Sequence, residues 1–117
     1  MAKNINTGKK GESLACSWLI NQGFEIKHLN WRYSYYEIDI IATRNHILHF
    51  IEVKTRTSSA YGMPEQDVSK RKFRFLKNAA VEYMYQNPQW NRIQYDILAI
   101  LIKNRIPEFY LLEDCYL

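Results

Sequence analysis

At 117 residues the chain is expected to form one domain spanning 1–117, large enough to bury a single core without staples. Its 47% apolar and 24% charged residues are ordinary for a globular protein. No apolar run approaches the roughly 18–20 residues of a membrane span, and the basic start Met1-Ala2-Lys3-Asn4 lacks the apolar stretch of a secretory signal, so a cytoplasmic protein with no membrane partner is expected. Cys16 and Cys115 stand in no CxxC pair, which argues against a structural zinc site, and the net charge of +4 favours polyanionic partners only mildly.

Thr7 to Gln22 is the first expected helix, capped by Thr7 and stopped by Gly23. Its apolar stripe of Leu14, Ala15, Trp18 and Leu19 also carries Glu12, an acid either reaching water near the helix start or serving a site. Phe24 to Trp31 is expected as a strand with Phe24, Ile26 and His28 on one face, Arg32 to Tyr35 as a turn, and Tyr36 to Thr43 as the second strand. Asn45-His46 is short enough for a hairpin turn into a third strand, Ile47 to Thr55. Thr57 to Gln66, with Ser58, Ser59, Gly62 and Pro64, is expected as a loop. Asp67 to Gln86 follows as a long helix whose core face carries Val68, Phe75, Leu76, Ala79, Ala80 and Tyr83, and Asn87-Pro88 ends it. Ile93 to Ile102 is apolar enough for a strand buried on both faces, and Glu108 to Leu112 is expected at a sheet edge. The predicted order is αβββαββ, an α/β fold.

Strand residues two apart share a face. Glu37, Asp39 and Ile41 therefore point one way, opposite Ile38, Ile40 and Ala42. On the next strand Leu48, Phe50, Glu52 and Lys54 share a face. With Asn45-His46 as a two-residue turn, Asp39 falls opposite Glu52 and Glu37 opposite Lys54, with Cβ atoms roughly 4.5–5.5 Å apart. Two carboxylates that close repel unless a cation lies between them or one is protonated. Mg²⁺ is held by one or two carboxylates plus water and substrate phosphates, and a neighbouring lysine can orient a water or stabilise a phosphate. Spacing alone leaves two readings open: a divalent-metal site, or a cross-strand ion pair on a solvated face, a common arrangement that contributes little.

Asp39 followed by Glu52-Val53-Lys54 resembles the D…(D/E)xK signature of restriction-endonuclease-like nucleases. The blocks Gly11-Glu12, Asn30-Trp31-Arg32, Glu37-Ile38-Asp39-Ile40-Ile41-Ala42, Phe50-Ile51-Glu52-Val53-Lys54-Thr55-Arg56, Tyr61-Gly62-Met63-Pro64 and Tyr95-Asp96-Ile97 follow in order. Over roughly residues 8 to 102 the chain resembles the YraN family of small bacterial proteins, related in fold to archaeal Holliday-junction resolvases. The resemblance implies a restriction-endonuclease-like core, with a mixed central sheet flanked by helices. It implies catalytic roles for Asp39, Glu52 and Lys54, with Glu12 matching the first-helix glutamate. Asp39, Glu52 and Glu12 would hold Mg²⁺ or Mn²⁺, and Glu37 would lend support. Tyr36 stands where that family usually has Gly before the Glu-Ile-Asp block.

The function implied is a metal-dependent endonuclease hydrolysing phosphodiester bonds in DNA, with branched or structured DNA as a candidate substrate. Its alternatives are a non-cleaving nucleic-acid-binding module and a protein-interaction adaptor. Lys70, Arg74 and Lys77 on one face of the second helix, with Arg32 and Arg56, are the candidate nucleic-acid contacts; a solvated helix face explains the helix cations equally well. The loop of Trp31, Arg32, Tyr33, Tyr35 and Tyr36 could stack on unpaired bases. His28, His46 and His49 share no face with the acids and are left out of the metal site. The role of Asp96 stays open. By analogy with junction resolvases, a homodimer is the oligomeric state to test.

Overall fold

A computed structural model of the chain describes residues 2–57 and 70–114, with side chains described for 11–57 and 73–114. Among the described residues, two helices and five strands run in the order α1 (Ala2–Asn21), β1 (Glu25–Tyr33), β2 (Tyr36–Arg44), β3 (Ile47–Arg56), α2 (Lys70–Gln86), β4 (Ile93–Lys103) and β5 (Ile106–Leu112). The strands form one mixed sheet in the order β1-β2-β3-β4-β5. Every neighbouring pair is antiparallel except β3 and β4, which run parallel. A parallel neighbour requires a crossover, and α2 lies on it.

The helices cover opposite faces of the sheet. Ala15 and Leu19 of α1 pack on Ile40, Ala42, Ile51 and Leu98. Leu76, Ala79, Ala80 and Tyr83 of α2 pack on Ile41, Leu48 and Phe50. The buried run Ile97–Leu101 of β4 has no polar side chain because both its faces are covered.

Local chemistry sets the joints. At the end of α1, Phe24 N–H donates to the Leu19 carbonyl and Gly23 N–H to the Ile20 carbonyl, both at 3.0 Å. Gly23, at φ 93, supplies the left-handed residue that this paired closure needs. The β2–β3 and β4–β5 hairpins turn on Asn45-His46 and Asn104-Arg105, all four with positive φ, the signature of a type I′ turn.

Several expectations are corrected. α1 begins at Ala2, so Thr7 lies inside the helix instead of capping it. Arg32 and Tyr33 belong to β1, and the turn is only Ser34-Tyr35, because Tyr33 pairs with Tyr36. A register shift between Ile26 and His28 breaks the simple alternation of β1 and leaves His28 exposed. Ile38 packs with Ile41 on the α2 side, not with Ile40, where β2 twists away from β3. Phe75 is 41% exposed instead of buried. The expected loop from Ser58 to Gln66 and the expected first residues of the second helix, Asp67 to Ser69, lie outside the described residues.

Candidate metal centre

β2 and β3 pair from Arg44↔Ile47 to Ile40↔Ile51, and the registered ladder stops there. β2 continues alongside β1 to Tyr36, while β3 continues alongside β4 to Arg56. Where the two strands part, the Asp39 side chain takes the place of a backbone acceptor: the Val53 N–H donates to Asp39 Oδ2 at 2.8 Å. The parting leaves a cavity of about 180 Å³ lined by Tyr35, Glu37, Asp39, Glu52, Phe75 and Leu76.

Three acids therefore meet at one cleft, although the predicted pairing is redrawn. Glu37 does not face Lys54; it lies 3.4 Å from the Arg32 guanidinium. Lys54 Nζ lies 3.1 Å from Glu52 Oε1, and both side chains are mostly buried. The ion pair follows the strand, because residues two apart on β3 share a face.

The Asp39 carboxyl is pushed up from its ordinary 3.8 to about 6. Burial is the main cause, and the charges of Glu52 and Glu37 add to it. The Val53 hydrogen bond and the Lys54 charge pull the other way without winning. A buried carboxylate beside two others is short of positive charge, which a divalent cation would supply. Asp39 Oδ2 accepts from the Val53 N–H, and Glu37 and Glu52 line the same cleft. Few protein ligands in an open cleft suit a hard ion that keeps much of its water.

Glu12 is placed elsewhere. It accepts a hydrogen bond from Asn30 Nδ2 at 2.9 Å and lines a separate hollow with Ser13, Cys16, Ser17, Ile20 and Leu29. Close packing fixes this part of α1: a Cβ on Gly11 would run into the Thr55 hydroxyl. Among the candidate nucleic-acid contacts, Arg74 and Lys77 are exposed on the helix that lends Phe75 and Leu76 to the cleft. Arg56 donates to the Thr55 carbonyl at 3.1 Å. Lys70 opens α2, and its side chain lies outside the described residues.

A second cluster escaped the sequence reading. His49, Asp96 and Glu113 bring ligand atoms within 4.8 Å of one another and could hold a metal ion; the three cleft acids do not fall together within that limit. The atoms of this cluster are already engaged. His49 Nδ1 is 2.6 Å from Asp96 Oδ2, while Asp96 Oδ1 accepts from the Asp114 N–H at 2.8 Å and from Gln94 at 3.2 Å. Arg44 donates to Glu113 at 3.1 Å and to the Gln22 carbonyl at 3.2 Å. This network ties the end of β5 to β2, β3, β4 and the end of α1. Its donors supply Asp96 and Glu113 with part of what a cation would, and the cleft acids likewise have partners, Asp39 in the Val53 N–H, Glu52 in Lys54 and Glu37 in Arg32. Asp96 in an apolar strand was the signal in the sequence; its partner His49 is two strand positions away across a parallel pairing that no local pattern reveals.

Among the described residues, fold and site together define an α/β protein with a five-stranded mixed sheet, two helices and a His/Asp/Glu cluster that could hold a metal ion. Among the described residues no helix is long and apolar enough to cross a membrane. The profile of the uncharacterised protein family UPF0102 matches residues 11–100, and the chain belongs to that family. It is 41% identical to a UPF0102 protein of Rhodococcus opacus over 103 residues, 87% of each chain. It is 35% identical to one of Flavobacterium psychrophilum over 116 residues, 99% of this chain and 98% of the other.

Proposed function

We propose that the protein is a divalent-metal-dependent endonuclease with a restriction-endonuclease-like core, acting on phosphodiester bonds in DNA. The observation that carries this reading is the parting of β2 and β3 around Asp39, with Glu37 and Glu52 on the same cleft and Lys54 paired to Glu52. A structural ion pair needs no cleft and no third acid.

Asp39 and Glu52 would hold Mg²⁺ or Mn²⁺. When bound, such an ion lowers the pKa of a coordinated water and neutralises phosphodiester oxygens. The Val53 N–H keeps the Asp39 carboxylate aimed into the cleft. The Lys54 ammonium, held 3.1 Å from Glu52, would turn a donor toward the attacked phosphate or the water. Glu37, engaged with Arg32, adds negative charge that strengthens cation binding. Glu12 joins the centre only by giving up its hydrogen bond to Asn30. Arg74 and Lys77, on the helix beside the cleft, supply sequence-independent phosphate contacts.

The test is cleavage of supercoiled and single-stranded DNA with Mg²⁺ and with Mn²⁺, by the wild type and by an Asp39→Ala, Glu52→Ala double variant, alongside calorimetric metal titration of both. Metal-dependent nicking and metal binding by the wild type alone are expected. Equal nicking by both proteins, or by neither, would sink the proposal.

A further inference from the structure

Tyr35 is 94% exposed, yet it stands on the lip of the acidic cleft beside Glu37, Asp39 and Glu52. The β1–β2 hairpin closes at Tyr33↔Tyr36, which leaves Ser34-Tyr35 as a two-residue turn. Ser34 has φ 58 while Tyr35 stays at negative φ. A left-handed first position followed by an ordinary second is the type II′ pattern, whose twist matches the strands it joins. The ring is thus carried on a short, geometrically constrained turn instead of a long loop.

Of the neighbouring aromatic residues, Trp31 and Tyr36 pack against the core, while Tyr33 is 44% exposed. Tyr36 packs inward on Phe75, with ring centroids 5.6 Å apart, and Trp31 meets Tyr83 edge-on at 5.3 Å. Tyr35 is left as a flat ring in water at the mouth of the cleft. Phe75, 41% exposed, lines the same cleft from α2. A single exposed aromatic residue is unremarkable by itself; here its position joins it to a site that draws in a phosphate. Bases inside a duplex stack on one another and offer the ring no face. An unpaired base next to the bound phosphate offers its whole π-face, and any of the four bases can do so.

We propose that Tyr35 stacks on an unpaired base next to the phosphate held in the cleft. The preferred substrate is then DNA that is single-stranded on at least one side of the scissile bond, such as an overhang or flap. This inference rests on the nuclease reading of the cleft and names the substrate class of that same site.

The experiment measures affinity for a blunt duplex and for the same duplex with a short overhang, in Ca²⁺ to keep the strands uncut. The first unpaired base is 2-aminopurine. Wild type, Tyr35→Ala and Tyr35→Phe are compared. Base–aromatic stacking is worth about 1–3 kcal/mol, so Tyr35→Ala is expected to lower the overhang-to-blunt affinity ratio about tenfold. Tyr35→Phe is expected to keep the ratio, and 2-aminopurine fluorescence is expected to be quenched by wild type and Tyr35→Phe but not by Tyr35→Ala. If wild type and Tyr35→Ala bind DNA with the same ratio, the stacking role is overturned and the nuclease reading stands. If the wild type binds neither DNA, both are overturned.

Discussion

Replacing Asp39 by Asn tests the electrostatics of the cleft without changing its shape. Asn keeps an oxygen that can accept the Val53 N–H now bonded to Asp39 at 2.8 Å, and it removes the charge. Burial and the charges of Glu52 and Glu37 raise the Asp39 carboxyl from 3.8 to about 6 in the folded, metal-free protein. The folded state therefore binds more protons than the unfolded state between those two values. Stability falls as pH rises through that window, because stability rises with pH only where the unfolded state holds more protons. At about 1.36 kcal/mol per pKa unit, the ionised Asp39 costs about 3 kcal/mol at pH 7 and almost nothing below pH 4. Asp39→Asn should then match the wild type near pH 4 and exceed it by up to about 3 kcal/mol at pH 7, an upper figure because water entering the cleft lessens the cost. Urea unfolding followed by tryptophan fluorescence in EDTA, from pH 4 to 8, reads this as a midpoint gap that widens to about 1–3 M. Millimolar Mg²⁺ should stabilise the wild type and leave Asp39→Asn nearly unmoved, closing the gap. Parallel wild-type and variant curves across the pH range, or a variant less stable at pH 7 without metal, would refute the picture of a cleft short of positive charge.

Other perturbations probe the scaffold and the DNA-facing surface. Asp96→Ala strands His49, Gln94 and the Asp114 N–H in a site where Asp96 is fully buried, and a loss of about 3–5 kcal/mol is expected in urea denaturation; Asp96→Asn should lose less. Gly11→Ala should destabilise, despite a gain of about 1 kcal/mol in helix propensity, because its Cβ meets Thr55; adding Thr55→Ala should recover stability, which a thermal melt would reveal. Arg74→Ala with Lys77→Ala should flatten the salt dependence of DNA binding by about one unit of slope per cation, as read from affinities at several salt concentrations; an unchanged slope would place those side chains away from phosphate.

Most of the architecture was written locally in the chain. Asn45-His46 adopts the two-residue turn its spacing suggested, and that turn sets the β2–β3 register from Arg44↔Ile47 onward. The spacing of Leu76, Ala79, Ala80 and Tyr83 placed the buried face of α2, and the apolar run of β4 marked a strand covered on both sides. Strand alternation put Glu37 and Asp39 on one face and Glu52 near them on the next strand, and the cleft brings the three together, although Ile38 departs from that alternation.

Only the tertiary structure decided what those side chains meet. The β2–β3 ladder ends one pair before Asp39, and the Asp39 carboxylate captures a backbone N–H where a strand partner was expected. Lys54 settles on Glu52, Glu37 on Arg32, and Glu12 on Asn30, 18 residues away. His49 finds Asp96 across the parallel β3–β4 pairing, 47 residues along the chain. Each of these depends on how far two strands stay paired, or on how a helix crosses a sheet. Those choices are made by packing among distant segments, and no local repeat in the sequence records them.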